Sequence, residues 1–187
     1  MKSAGNLFKI FLVAIALTLV PFTLSGAMDG PLCVIYRGYI IGDMEMWKKG
    51  MAELQDVYRK DPSSYNLFIL VEVRYGYIGY LMGEEKKSDV KPYIDEFEQY
   101  LDKLAAYPDR KAETEAFRVA LLGYRMWLNP TKAISLGPIA LNQLEKAMED
   151  GNNNPDVWVE KANSEAHMPS SAGGREENKM TLLPEDK

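Results

Sequence analysis

A chain of 187 residues with a net charge of −5 is long enough for an ordinary domain with a real core. It is too acidic for a nucleic-acid or anionic-lipid partner, since both need clustered Lys and Arg. Its single cysteine, Cys33, excludes a disulfide within the chain, and its single histidine, His167, removes most nucleophilic triads and multi-histidine metal sites.

Lys2 and Lys9 precede an uncharged run over 10–20, followed by Pro21 and the small residues Ser25, Gly26 and Ala27. This is the pattern of a secretory signal peptide, so residues 1–27 are expected to be cleaved after Ala27, giving a periplasmic or secreted protein. The alternative is an uncleaved anchor, because the stretch approaches the ~18 apolar residues that a spanning helix requires. No later segment has that length and apolarity. Pro31 and Leu32 stand where a bacterial lipoprotein carries a small residue before its cysteine. Cys33 therefore reads as a buried thiol near the start of the first helix.

Beyond the leader, proline, glycine and Asn/Asp/Ser clusters cut the chain into helix-length pieces whose apolar residues recur every three or four positions. The first predicted helix covers 31–41 and stops at Gly42. Asp43 is placed to cap a second, carrying Met46, Trp47, Gly50, Leu54 and Val57 and closed by Asp61-Pro62. Ser64 is expected to cap a long apolar third helix running to about Met82. A fourth starts at Ser88 or Asp89 with Pro92 in its first turn and a stripe of Tyr93, Phe97, Leu101 and Leu104. Pro108-Asp109 opens a fifth, with a broad band of Ala116, Phe117, Ala120, Leu121, Tyr124, Trp127 and Leu128. Gly137-Pro138 opens a sixth with Ile139, Ala140, Leu144, Ala147 and Met148. Asn154-Pro155 begins a seventh that contains Trp158 and fades by Met168. The helical domain thus spans 28–168, and the polar tail over 169–187 offers too little apolar surface to offset the entropy of ordering.

Seven helices joined by short loops are compatible with a bundle or with a solenoid of helical hairpins, and a repeat distinguishes them. Tetratricopeptide units of ~34 residues place a large then a small residue on the first helix, Ala, aromatic or Leu, and Ala on the second, and Pro after it. Gly38 followed by Gly50, Leu54, Val57 and Pro62 resembles that order. Leu122-Gly123 followed by Ala140, Leu144 and Ala147 does so again, and Trp158 stands where the next unit carries its large residue. The middle pair, 64–107, has the helix lengths but not the pattern.

Three segments carry a narrower likeness: Tyr39 to Asp43 ahead of Trp47, Tyr75 to Gly79, and Leu136-Gly137-Pro138 ahead of the Asn154-Pro155 loop. On these the chain resembles a group of exported bacterial tetratricopeptide-like proteins common in Bacteroidetes, over about residues 31–174. The resemblance implies an all-α, tetratricopeptide-like helical-hairpin solenoid of about three and a half repeats. Members of the group usually continue past a Pro…Gly-Gly segment, here 169–174, into a further helix, whereas this chain turns polar. The seventh helix therefore lacks its usual partner, and its face is either capped, frayed, or covered by another chain, as in a homo-oligomer.

No catalytic set emerges, so an enzyme is the weakest of the readings. His167 sits near a helix end and reads as a solvated residue. Asp95, Glu96 and Glu98, with Lys91 and Lys103 close by on one helix, read as a solvated charged face and not as paired catalytic carboxylates or a calcium site. Gly76 and Gly79 interrupt a helix, where glycine commonly serves close packing. The 11 tyrosines have two readings, core spacers between helix pairs or a ligand face. If the family's geometry holds, the first helix of each pair lines a concave groove, and Tyr39, Tyr75, Tyr124, Trp127 and Asn163 would project toward it. Arg74 is either a groove charge or half of a structural ion pair.

The expected function is accordingly a non-enzymatic module that holds a protein or peptide segment and needs no cofactor or metal. The runner-up is a small-molecule-binding accessory of a periplasmic transporter, similar to the helical T-component of tripartite systems.

Overall fold

A computed structural model describes residues 30–84 and 86–167. The signal peptide expected over 1–27 and the polar tail over 169–187 lie outside the described residues, as does the side chain of His167. The described elements are all helical: α1 (Pro31–Ile41), α2 (Met44–Lys60), α3 (Ser64–Glu84), α4 (Lys87–Leu104), α5 (Lys111–Leu128), α6 (Ala133–Asp150) and α7 (Pro155–His167), with 3-10 turns at Pro108–Arg110 and Pro130–Lys132. The chain is all-α, built of seven described helices joined by short turns. It divides into two units that part between Asp61 and Pro62.

In the first unit α1 and α2 form a hairpin. Gly42 ends α1 in the left-handed region at φ +73°, a conformation that costs glycine nothing, and the Asp43 carboxylate then accepts the amide of Met46 at 3.0 Å to cap α2. The helices approach so closely that a Cβ on Gly50 would meet Ile35 Cγ1 at 2.5 Å and the Pro31 carbonyl at 2.9 Å. One on Gly38 would lie 2.7 Å from the Asp43 carbonyl. Gly38 and Gly50 thus sit at a close approach between the two helices. Ile35, Trp47, Met51 and Leu54 fill the space beside them. Cys33 is only half-buried, because it lies in the first turn of α1, to one side of the Ile35–Gly50 contact.

In the second unit the cap of α3 comes from Ser63, whose hydroxyl accepts the amide of Asn66 at 3.3 Å. Ser64 instead donates to Asp109 at 2.7 Å. α4 starts at Lys87, beside the expected Ser88 or Asp89, whereas α6 starts at Ala133, a full turn before the expected Gly137-Pro138; Pro92 and Pro138 lie inside these helices. A proline one turn in leaves one carbonyl of the first turn without its helical donor, and the first turns of α4 and α6 are exposed, so water can serve it. Asn154 caps α7 through the amide of Asp156 at 2.9 Å.

The core lies where α4 packs on both α3 and α5. Leu67, Leu70 and Val71 of α3, Val90, Ile94, Phe97 and Leu101 of α4, and Ala116 of α5 are sealed from solvent; each large aliphatic or aromatic side chain so buried contributes about 1.5–3 kcal/mol. Phe117 on α5 touches the rings of Phe68 and Tyr75 on α3 and of Phe97 on α4. Phe68 faces Phe117 and Tyr75 faces Tyr124, pairs of equal chain separation, so α3 and α5 run in the same direction. α7 packs on α5 and α6 through a small apolar cluster of Ala116, Ala147 and Val157.

Several expectations are corrected by this packing. Val157, not Trp158, is the buried apolar residue of α7. Trp158 is half exposed, its indole N–H donating to the Asn152 carbonyl at 2.6 Å. Gly79 and Gly123 face open space, where a Cβ would meet nothing, so neither marks a close helix approach in the way Gly50 does. Ile139 is also largely exposed. No helix among the described residues is long and apolar enough to cross a membrane.

Candidate functional site

Where α3, α5 and α7 meet, five side chains form one polar junction. The hydroxyl of Tyr75 (α3) donates to Glu160 Oε2 (α7) at 3.2 Å and accepts from the amide nitrogen of Asn163, one helical step further along α7. Tyr124 (α5) donates its hydroxyl to the backbone carbonyl of Tyr75 at 3.2 Å. Ser164 reaches the other oxygen of Glu160 at 3.5 Å. Three of the six expected binding residues, Tyr75, Tyr124 and Asn163, therefore converge from helices far apart in sequence.

Glu160 stands at the centre and is 6% exposed. Among the described residues no Lys or Arg pairs with it. Burial pushes its carboxyl up to about 7, and the hydrogen bonds from Tyr75, Ser164 and Asn163 offset only part of that rise. The same burial, followed by the nearby Glu160 charge, raises the Tyr75 phenol, and burial raises that of Tyr124 well above its ordinary value. Flanking the junction, Glu72 (α3) is raised by burial and then by the charge of Asp156 (α7). Asp156 is raised by burial and then by Glu113 (α5), with Arg110 opposing. Arg110 itself pairs with Glu113 at 3.0 Å and lies over the ring of Phe68. The result is a protonatable face of four carboxylates and two phenols with one guanidinium at its edge.

The remaining expected site residues lie elsewhere. Arg74 is buried, forms a two-pronged ion pair with Glu96 of α4 at 2.6 and 2.9 Å, and lies against the ring of Tyr100. Of its two readings, the geometry contains the structural pair. Trp127 is half-buried under the ammonium of Lys87, which turns it toward the start of α4. Tyr39 belongs to the first unit, where it is 64% exposed and meets the ring of Trp47 edge-on.

The acidic set on α4 is not a uniform solvated face. Asp95 pairs with Lys91 on its own helix, but Glu96 reaches Arg74 of α3 and Glu98 reaches Arg125 of α5. These two acids tie neighbouring helices together.

Glu160, Glu72 and Asp156 were not singled out by their residue types. One signal was present for Glu160: with Val157 and Ser164 it falls on the i, i+3, i+7 stripe of α7, the positions that a docked helix turns inward. The chain matches no protein-family model, no curated protein and no solved structure.

Proposed function

We propose that the protein is an exported, tetratricopeptide-like interaction module, acting in the periplasm or outside the cell, that holds a protein or peptide segment without catalysing a reaction. The observation that carries this reading is the convergence of Tyr75, Tyr124 and Asn163 from α3, α5 and α7. The alternate helices of successive hairpins place these residues side by side, as helical repeats do when they build a shared surface. Tyr75 and Asn163 are only partly buried there, and an aromatic with a polar tip suits the mixed surface of a peptide. The acidic neighbours Glu72 and Asp156 favour a segment that carries positive charge. A homo-oligomer through α7 belongs to the same reading, since Trp158 and Val159 leave an apolar patch on its outer side.

The test is a binding screen of the full chain against an array of short peptides, repeated with Glu72→Ala and Asn163→Ala. Both variants should lose about tenfold in affinity, or ~1.4 kcal/mol, while Lys146→Ala on the exposed side of α6 binds as the wild type does. Equal affinity in all four proteins would count against the surface. A metabolite that raises the melting temperature of the chain, with no peptide bound by any form, would favour a transporter accessory instead.

A further inference from the structure

We propose that Glu160 is a proton-operated latch: as the neutral acid it lets α7 lie against α3 and α5, and its ionisation releases that helix. The inference concerns how α7 is held and does not depend on which ligand the protein takes.

The geometry supplies each part of the device. α7 has 13 residues, and a helix of about that length is marginal in water without a neighbour to pack on. Its buried apolar anchor is Val157, which shares a small cluster with Ala116 and Ala147. The rest of its inner stripe is polar, Glu160 followed by Ser164. A carboxylate in such a place needs a cation or a full set of donors to offset lost hydration. Glu160 accepts from two hydroxyls, one of them 3.5 Å away, and from the Asn163 amide, and it has no ion pair among the described residues.

Burial favours its neutral form, and the hydrogen bonds from its neighbours offset only part of that. From α3 it faces Tyr75, with Glu72 nearby. From α5 it faces Tyr124, and Glu113 lies beyond Asp156 with its charge engaged by Arg110. On α7 itself Asp156 lies one turn away, while Lys161 is held by Glu165. The charged residues of α6, the third element packed on α7, are Glu145, Lys146, Glu149 and Asp150. All four are exposed, and Asp150 is occupied by Lys111 of α5. Ionising Glu160 therefore adds negative charge to a junction already flanked by carboxylates. The carboxyl sits at about 7 when docked against an ordinary 4.5. By linkage, the undocked population should therefore rise by up to about 100-fold between pH 5 and pH 8.

Hydrogen exchange of the full chain, read by mass spectrometry and corrected for intrinsic rates, tests this at pH 5, 6.5 and 8. Amides of α7 should lose protection by at least about tenfold across the series, whereas those of α4 keep theirs. Glu160→Gln, which keeps the shape of the neutral acid, should hold α7 protection constant with pH. Protection of wild-type α7 that does not change with pH overturns the proposal. So does a pH dependence that survives in Glu160→Gln and vanishes in Glu72→Gln. Should Glu160→Gln fold poorly, a carbon-13 titration of the Glu160 carboxyl in the wild-type chain decides the same question. A midpoint near 7 accompanied by shifts of the α7 amides supports the latch, and a midpoint near 4.5 overturns it.

Discussion

The hydroxyl of Tyr75 on α3 lies 3.2 Å from the carboxylate of Glu160 on α7, across 85 residues of chain. That contact joins the longest described helix to the last, and it does so with a neutral donor where a buried acid would ordinarily meet a cation. Most of what distinguishes this protein from a plain array of amphipathic helices gathers around it.

Stability should fall as pH rises through the acidic range. Glu160, Glu72 and Asp156 all have folded-state values raised above their ordinary ones, so between those limits the folded protein binds more protons than the unfolded chain. The slope of unfolding free energy against pH is then negative. For Glu160 the window runs from 4.5 to about 7, equivalent to at most about 3 kcal/mol. Urea denaturation followed by circular dichroism should give a lower midpoint at pH 8 than at pH 5. A midpoint that climbs over this range would contradict the burial argument.

Tyr75→Phe removes one hydroxyl from two partners, Glu160 and Asn163, and preserves the ring contacts with Phe117 and Tyr124. Glu160 loses a donor that favours its ionised form, so its carboxyl should titrate higher still. The loss in stability should be about 1–2 kcal/mol at pH 8 and smaller at pH 5, where the neutral acid needs the donor less. Matched urea melts at the two pH values measure the difference. An identical loss at both would mean that the hydroxyl acts only by packing.

Arg74→Met keeps the apolar stem in contact with Tyr100 and removes the charge that neutralises Glu96. The side chain of Glu96 is 36% exposed and can regain some water, so the cost should fall at or below the lower end for breaking a buried pair, about 2–3 kcal/mol. Adding Glu96→Gln to that variant should recover part of it. A double-mutant cycle reads the coupling directly.

Glycines that look alike in the sequence should respond in opposite directions. Gly50→Ala places a methyl 2.5 Å from Ile35 Cγ1 and should destabilise the α1–α2 hairpin by about 1–3 kcal/mol. Gly79→Ala and Gly123→Ala enter open space inside helices and should stabilise by about 0.5–1 kcal/mol each, since alanine loses less backbone freedom on folding. Thermal melts of the three variants suffice to check the signs.

Punctuation by local chemistry was legible wherever a helix end is decided within a few residues. Gly42 and Asp43 between α1 and α2, and Asn154-Pro155 at the start of α7, act through their own backbone angles and side chains, so neighbours in sequence reveal them. Pro138 was misleading as a start signal because a proline also fits the second turn when the freed carbonyl faces water, and exposure is not a local property. Trp158 was misleading for a related reason. Its size suited a core position, but α7 is rotated so that Val157 and Glu160 face inward, and that rotation is set by what α5 and α6 present to it.

The amino-acid sequence by itself determined that this protein is helical, that its helices pair into hairpins, and roughly where each one begins and ends, because capping, glycine angles and apolar spacing operate over a single turn. Tertiary structure alone decided which polar residues meet. Tyr75, Tyr124 and Asn163 carry no mark that associates them with Glu160, and Arg74 shows no preference for Glu96 over Asp95 or Glu98. Their partners are fixed by the register at which α3, α4, α5 and α7 lock their apolar faces together, and the raised pKa of Glu160 follows from the loss of water that this packing imposes.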